Sequence, residues 1–416
     1  MDFRPRSVSS RLLAGLNSYP VVFLNGPRQA GKSTLARMLA EHQFPATYIT
    51  FDNATQMAAA AAAPRSFVLE RSGNLILDEI QLVPQLFRVL KEAVDEQRFR
   101  ARGAESPTRF LLTGSADIMV VPELADALVG RMAVQTLYPY SVCEYLGRNP
   151  TFLDRLFENR FGSLRIEEFL RVDAALSCAT FPTVAGKPQA EQAIWFESYL
   201  STIIQRDIRS IAEIEKLTAI PRLLQVLAGR AGSLLNDASI ARDVGLNPVT
   251  EKSYRTLLNA LFLTFEIPPW FRNIGKRIVK SAKGFMTDTS LLCHLLGQQP
   301  GQILERRPDL FGHVLENFVA TELRKQLSYG SSARLFHFRT GDNREVDFVI
   351  EYPDGRLAAV EVKASDQIRS EDFSGIRFFS QIADAAFSCG VVLYRGSDVV
   401  PFGDNLWAVP LDALWA

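Results

Sequence analysis

Cysteine and histidine are scarce in this chain, and their scarcity removes several kinds of chemistry at once. Its 416 residues include four cysteines, Cys143, Cys178, Cys293 and Cys389, all far apart and with no C-x-x-C pair. A disulfide framework is therefore not expected, and free thiols fit a reducing cytoplasm. The four histidines, His42, His294, His313 and His337, stand alone, so a Cys/His metal centre is not expected either. No apolar run approaches the roughly 18 residues that a membrane span needs, and no secretory apolar stretch opens the chain. An excess of one charge is lacking too. Lys+Arg and Asp+Glu both number 46, so any nucleic-acid surface must be local. What remains, at 47% hydrophobic and 22% charged residues, is an ordinary globular composition. The length suits about three domains.

The most specific stretch is Gly26-Pro27-Arg28-Gln29-Ala30-Gly31-Lys32-Ser33-Thr34, which follows the apolar run Val21–Leu24 and precedes Leu35-Ala36-Arg37-Met38-Leu39. Strand, glycine-bounded loop and helix in that order make a phosphate cradle, because N–H groups at a helix start point at anionic oxygens. The spacing G-x-x-x-x-G-K-[S/T] is complete. Gly26 and Gly31 let the backbone curl, Lys32 reaches β/γ oxygens, and the Ser33 hydroxyl can ligate Mg²⁺.

A second apolar run, Leu75-Ile76-Leu77, ends in Asp78 and Glu79 about 45 residues later. Parallel sheets place chemistry at such strand ends. Asp78 is suited to hold Mg²⁺ with Ser33, and Glu79 to orient or deprotonate the attacking water. Arg109–Ser115 repeats the design, with Thr113 and Ser115 either sensing the γ-phosphate or merely capping a turn. Arg131, after Leu128-Val129-Gly130, is a candidate arginine finger, acting in cis or from a neighbouring subunit of a homo-oligomer.

The segments GPRQAGKST, LILDEIQ, LLTGSAD and LVGRM, with Leu137-Tyr138-Pro139-Tyr140-Ser141 and Glu144, resemble a large family of AAA-type ATPases from bacteria and archaea. The C-terminal part of that family was long a domain of unknown function. The resemblance covers nearly the whole chain and implies an ATP-binding α/β domain.

The middle of the chain reads as helical. Trp195, Phe196, Tyr199, Leu200, Ile203 and Ile204 fall at three- and four-residue steps, a core stripe. Arg206-Asp207 then serves either as a surface pair or as a second nucleotide sensor. Asn236 to Leu261 predicts helix, turn, helix, with a break at Gly245 and with Asn247-Pro248 as cap and first helical residue. Thr250, Lys252, Ser253, Arg255 and Asn259 sit on the polar positions of the second helix, which suits a major groove or plain packing. The following segment, Trp270 to Lys283, carries Arg272, Lys276, Arg277, Lys280 and Lys283 with no acid. As the wing of a winged helix it suits a DNA backbone, and as a hairpin face it is simply solvated.

Beyond Pro300, a helix over Phe311–Leu327 carries Glu316, and two alternating runs, Glu345–Glu351 and Ala358–Lys363, flank Pro353-Asp354-Gly355. A three-residue loop with glycine in the left-handed region sets Tyr352 opposite Arg356. That register pairs Asp347 with Glu361 and puts Lys363 on the same face. Two carboxylates and a lysine there make a hard-cation site: Asp347 and Glu361 as ligands for Mg²⁺ or Mn²⁺, Lys363 to steady developing charge. The arrangement resembles the PD-(D/E)XK nuclease superfamily. The resemblance makes Glu361-Val362-Lys363 the E-x-K, Glu316 the first-helix acid and Gln381 the variable glutamine. A nuclease-like fold need not keep its cleavage chemistry.

The expected architecture is α/β: a P-loop AAA-type ATPase domain with a parallel sheet over 1–145, a helical domain over 146–232, a winged-helix-like domain over 233–300, and an α/β restriction-endonuclease-like domain over 301–416. The expected function is an ATP- and Mg²⁺-dependent ATPase working on or near DNA, with metal-dependent cleavage in its last domain. The competing class is a nucleotide-driven switch or scaffold whose C-terminal domain only binds a partner.

Overall fold

Runs such as Val21–Asn25 and Phe110–Thr113 lack polar alternation because each lies inside a parallel sheet covered on both faces. The computed structural model describes residues 4–100, 108–115, 128, 130–164, 170, 172–208, 217–273, 275, 277, 280–342 and 344–416. The chain divides into two units, Met1–Pro139 with Ala260–Phe262, and Tyr140–Asn259 with Leu263–Ala416. Among the described residues, no helix is long and apolar enough to cross a membrane.

The first unit holds five parallel strands, β1 (Val21–Asn25), β2 (Ala46–Thr50), β3 (Asn74–Asp78), β4 (Phe110–Thr113) and β5 (Met132–Thr136), in the order β2-β3-β4-β1-β5. The register pairs Leu24 with Thr113 and Leu77 with Leu112, so β1, β3 and β4 end at one rim. The loop after β1 and the acids after β3 share that rim. Phe23, Leu77, Phe87, Phe110 and Leu112 fill the core beneath it, each fully buried side chain contributing about 1.5–3 kcal/mol. The first helix spans Ser9–Ser18, and Arg6 lies just ahead of it, buried. Its guanidinium donates to Ala30 O at 2.8 Å and Tyr138 O at 2.6 Å, bracing the loop from beneath.

In the second unit the helices Asp237–Val244 and Pro248–Ala260 form where their caps predict. Asn236 Oδ1 accepts from Ser239 N–H, Gly245 turns at φ 78°, and Asn247 Oδ1 accepts from Thr250 N–H. The antiparallel pair β6 (Thr264–Ile267) and β7 (Lys283–Met286) follows. Beyond the long helix Pro308–Gly330 come β8 (Arg334–Arg339), β9 (Glu345–Glu351), β10 (Leu357–Val362), β11 (Phe387–Tyr394), β12 (Val400–Gly403) and β13 (Leu406–Pro410). Their order is β12-β13-β11-β10-β9-β8, parallel through β10, β11 and β13 and antiparallel at both edges. Phe373, Ile376, Phe379 and Ala383 of the segment ending in helix Ser374–Ala383 pack with Val349, Ala359 and Val392 of this sheet.

The Trp270–Lys283 segment departs from the expected free wing. Trp270 is 4% exposed, packs edge-on against Phe379, and donates its backbone N–H to His337 O. Burying an indole outweighs leaving it for solvent or a phosphate backbone.

Candidate active site

At the rim of the first unit, Gly31 begins the loop helix in the left-handed region at φ 96°, a conformation glycine takes at no steric cost. Gly26 is required for another reason: a Cβ there would lie 2.2 Å from Leu137 O. Lys32 is buried, and its ammonium donates to Gly26 O and Pro27 O, both at 2.9 Å. Ser33 Oγ donates to Asp78 Oδ1 at 2.9 Å, which sets the two expected Mg²⁺ ligands side by side. Pro27, Arg28, Gln29, Ala30 and Thr34 complete the same loop and first turn. Gln29 and Glu79 both hold positive φ, at 66° and 57°. Such backbone costs a non-glycine residue about 1–2 kcal/mol and concentrates where function demands a geometry.

Two further hydroxyls converge on Asp78. Thr113 Oγ1 donates to Oδ1, and the Tyr48 phenol donates to Oδ2 at 2.7 Å. Burial, then the Asp78 hydrogen bond, pushes the Tyr48 phenol up to about 12. Thr113 Oγ1 also accepts from Glu79 N–H at 3.1 Å, so it links both acids. Gln81 Nε2 donates to Glu79 Oε2 and lies 3.4 Å from Ser115 Oγ. Sequence reasoning gave Tyr48, Arg6 and Gln81 no role. Gln81 stands inside the acidic strand motif and was within reach, whereas Tyr48 only looks like one of several strand residues.

Arg131 requires a correction. It precedes β5, whose first residue Met132 pairs with Val21, so it sits at the end of the sheet opposite the loop. Its guanidinium instead makes a two-pronged pair with Asp95 at 2.8 and 3.0 Å. A finger in cis is therefore excluded.

In the second unit the turn chemistry sets the register. Tyr352 N–H donates to Arg356 O, Gly355 takes φ 88°, and Leu357 faces Glu351 down to Val360 facing Phe348. The next step brings Asp347 to Glu361: Asp347 N–H donates to Glu361 Oε2 at 3.3 Å. Asp347 Oδ2 accepts from Val362 N–H at 3.0 Å, and Lys363 Nζ donates to Glu361 Oε1 at 2.9 Å. Glu316 joins them through Lys283, whose ammonium lies 2.8 Å from Glu316, 2.5 Å from Glu345 and 3.3 Å from Asp347. Burial, reinforced by the charge of Asp347, pushes both the Glu316 and Glu361 carboxyls up to about 8. Burial alone would lower Lys283, but Asp347, Glu316 and Glu345 outweigh it and hold the ammonium charged.

Several expected surface groups of this unit are internal. Arg255 is buried against Glu251, Asp237 and Glu266, and Asn259 bonds Glu266, so neither reaches a groove. Arg277 pairs with Glu351 at 2.6 Å and lies over the rings of Trp270 and Phe336. Lys283 is 2% exposed on its side chain, while Arg272, Lys280 and Lys252 remain exposed. Lys276 lies outside the described residues. Gln381 is exposed, and among the described residues none of its hydrogen bonds joins the acidic cluster. Arg206 is exposed on a π-helical turn, Ile203–Asp207.

Residues 18–146 match the AAA domain. Residues 172–302 and 311–414 match two domains of unknown function, DUF8612 and DUF4143. The chain is 30% identical over 98% of its length to the uncharacterized protein Rv2008c of Mycobacterium tuberculosis, covering 84% of that protein. It matches the uncharacterized protein Mb2031c of Mycobacterium bovis with the same identity and coverage. Among solved structures, a Walker-type ATPase of Pyrococcus abyssi aligns at a TM-score of 0.40 and 15% identity, over 71% of this chain and 99% of that one.

Proposed function

The chain belongs to the same family as the uncharacterized mycobacterial proteins Rv2008c and Mb2031c, and we propose that it is a Mg²⁺-dependent ATPase. The observation that carries the reading is the rim of the first sheet, where Ser33 Oγ, Asp78 Oδ1 and the start of the loop helix meet. The donor set fits the ion and the nucleotide: a hydroxyl and a carboxylate suit a hard cation, and backbone N–H groups with Lys32 suit phosphate oxygens. Bound Mg²⁺ would neutralise charge on the β- and γ-oxygens. Lys32 exchanges two neutral carbonyl partners for phosphate oxygens. Asp78, steadied by Tyr48 and Thr113, keeps one orientation, and Glu79, beside Gln81 and Ser115, takes the role of the water-orienting base. The test is phosphate release by purified protein with ATP and Mg²⁺. Absence of nucleotide binding to the wild-type chain would overturn the reading.

We further propose that residues 301–416 are nuclease-like in build, with DNA as the partner class, as part of the four-part division 1–145, 146–232, 233–300 and 301–416. The hairpin register supports the first point, since it brings Asp347, Glu361 and Lys363 together, with Glu316 of the long helix joined to Asp347 through Lys283. The helix-turn-helix and the exposed Lys252, Arg272 and Lys280 support the second. Arg131 keeps its finger role only if a second copy of the chain supplies it. Duplex DNA binding whose salt dependence flattens in a Lys252→Ala, Lys280→Ala variant is the expected result.

A further inference from the structure

The acidic cluster of the second unit already contains a cation. Lys283, the first residue of β7, is one of the largest fully buried side chains in the chain. An ammonium has three N–H donors, and here three carboxyl groups from two elements surround it: Glu316 at 2.8 Å, Glu345 at 2.5 Å and Asp347 at 3.3 Å. The oxygens that would hold a divalent ion are committed elsewhere as well. Asp347 gives Oδ1 to Lys283 and Oδ2 to Val362 N–H, while Glu361 gives Oε1 to Lys363 and Oε2 to Asp347 N–H. Among the described residues no group of three or more His, Cys, Asp or Glu side chains is disposed to hold a metal ion.

The backbone is shaped to deliver this lysine. Gly232 N–H donates to Gly284 O at 2.8 Å, and a Cβ on Gly232 would meet Glu316 Oε2 at 2.8 Å. Leu234 bridges to Lys283 itself. A residue pressed into place by its neighbours, buried and matched donor for acceptor, is not a surface lysine that has folded over.

We infer that Lys283 stands in for the divalent ion of a nuclease-like centre, so that the cluster clamps β7 to the sheet and takes up neither Mg²⁺ nor Mn²⁺. A divalent ion on Asp347 would lie within a few ångströms of a fixed positive charge in a poorly solvated site, where repulsion is strongest. The Asp347–Glu361 pair then holds the hairpin without cutting a phosphodiester. This inference rests on the nuclease-like reading of residues 301–416 and is independent of the ATPase.

Mn²⁺ titration of the full chain without nucleotide, followed by electron paramagnetic resonance, separates the cases. The series is wild type, Asp347→Asn, Lys283→Met and the Lys283→Met, Asp347→Asn pair; any ion held at Ser33 and Asp78 is common to all four. Wild type and Asp347→Asn are expected to bind equally. Lys283→Met is expected to gain one equivalent that the added Asp347→Asn removes. An Asp347-dependent equivalent in wild type would overturn the inference and leave the nuclease-like reading standing. A folded Lys283→Met that gains nothing would overturn both. If Lys283→Met does not fold, the wild-type comparison with Asp347→Asn decides alone.

Discussion

Among the described residues Lys32, at 4% exposure, and Lys283, at 2%, are two of the buried lysines, and their partners give them opposite work. Lys32 donates to the neutral carbonyls of Gly26 and Pro27. A charged phosphate oxygen is a stronger acceptor than either, so such a lysine is ready to exchange partners. Lys283 donates to ionisable carboxyls from β9 and the long helix. No incoming anion improves on those, and the lysine becomes a structural fixture. Burial alone therefore does not mark a functional lysine; the charge of what it touches does.

The sharpest way to break this comparison is at the first site. Glu79→Gln should lower ATP hydrolysis by about 10²–10⁴-fold while leaving ATP binding intact, the span a positioned base contributes. Lys32→Ala should weaken ATP binding by roughly 10- to 150-fold, corresponding to about 1.5–3 kcal/mol for charge-assisted hydrogen bonds. Fluorescent-nucleotide titration and steady-state phosphate release measure the two. Wild-type behaviour in either variant would remove its residue from the mechanism.

The matching change at the second site should harm folding instead. Lys283→Ala leaves buried carboxyls without their cation and is expected to destabilise the second unit by about 3–5 kcal/mol, read from urea unfolding. A midpoint that does not move would mean that the cluster relaxes freely, and the contrast between the lysines would fail.

A smaller effect is expected from Tyr48→Phe, which removes one of three hydroxyls from Asp78. One neutral-to-charged hydrogen bond of this kind is worth about 1.5–3 kcal/mol at most and less where two others persist. A several-fold rise in the Mg²⁺ concentration needed for half-maximal hydrolysis is the expected reading; an unchanged requirement would make Tyr48 a packing residue.

The smallest effect is in pH. The Glu316 and Glu361 carboxyls are pushed up from 4.5 to about 8, so across that window the folded chain keeps protons that the unfolded chain has released. Their contribution to stability therefore falls as pH rises toward about 8. Glu361→Gln removes one such group, and the loss of melting temperature between about pH 6 and pH 8.5 should be shallower than in wild type. Identical slopes would show that Glu361 does not titrate there.

How much of this was legible beforehand depends on how far away each residue's partner lies. The phosphate loop, the caps at Asn236 and Asn247, and the Tyr352–Arg356 turn are local, written into adjacent residues whose spacing has one physical solution. Lys283 and Arg277 were legible only as members of a basic stretch. Their direction is set by Glu316 and Asp347, 33 and 64 positions from Lys283, and by Glu351, 74 positions from Arg277. Local composition reports the sign of a charge and says nothing of which way it points. Only the cis form of the Arg131 expectation fails, for a related reason: its neighbours suggest a finger, but strand register places it at the end of the sheet opposite the loop.

Tyr48 carries one consequence of a different kind. Its phenol touches the carboxylate expected to meet Mg²⁺, and the Arg37 guanidinium lies over its ring at 4.7 Å. A ring polarised from its edge and its face is an optical probe already installed in the protein. Occupation of the site should change the near-ultraviolet difference spectrum of wild type in a way that Tyr48→Phe erases, allowing metal arrival to be timed separately from hydrolysis without attaching a dye.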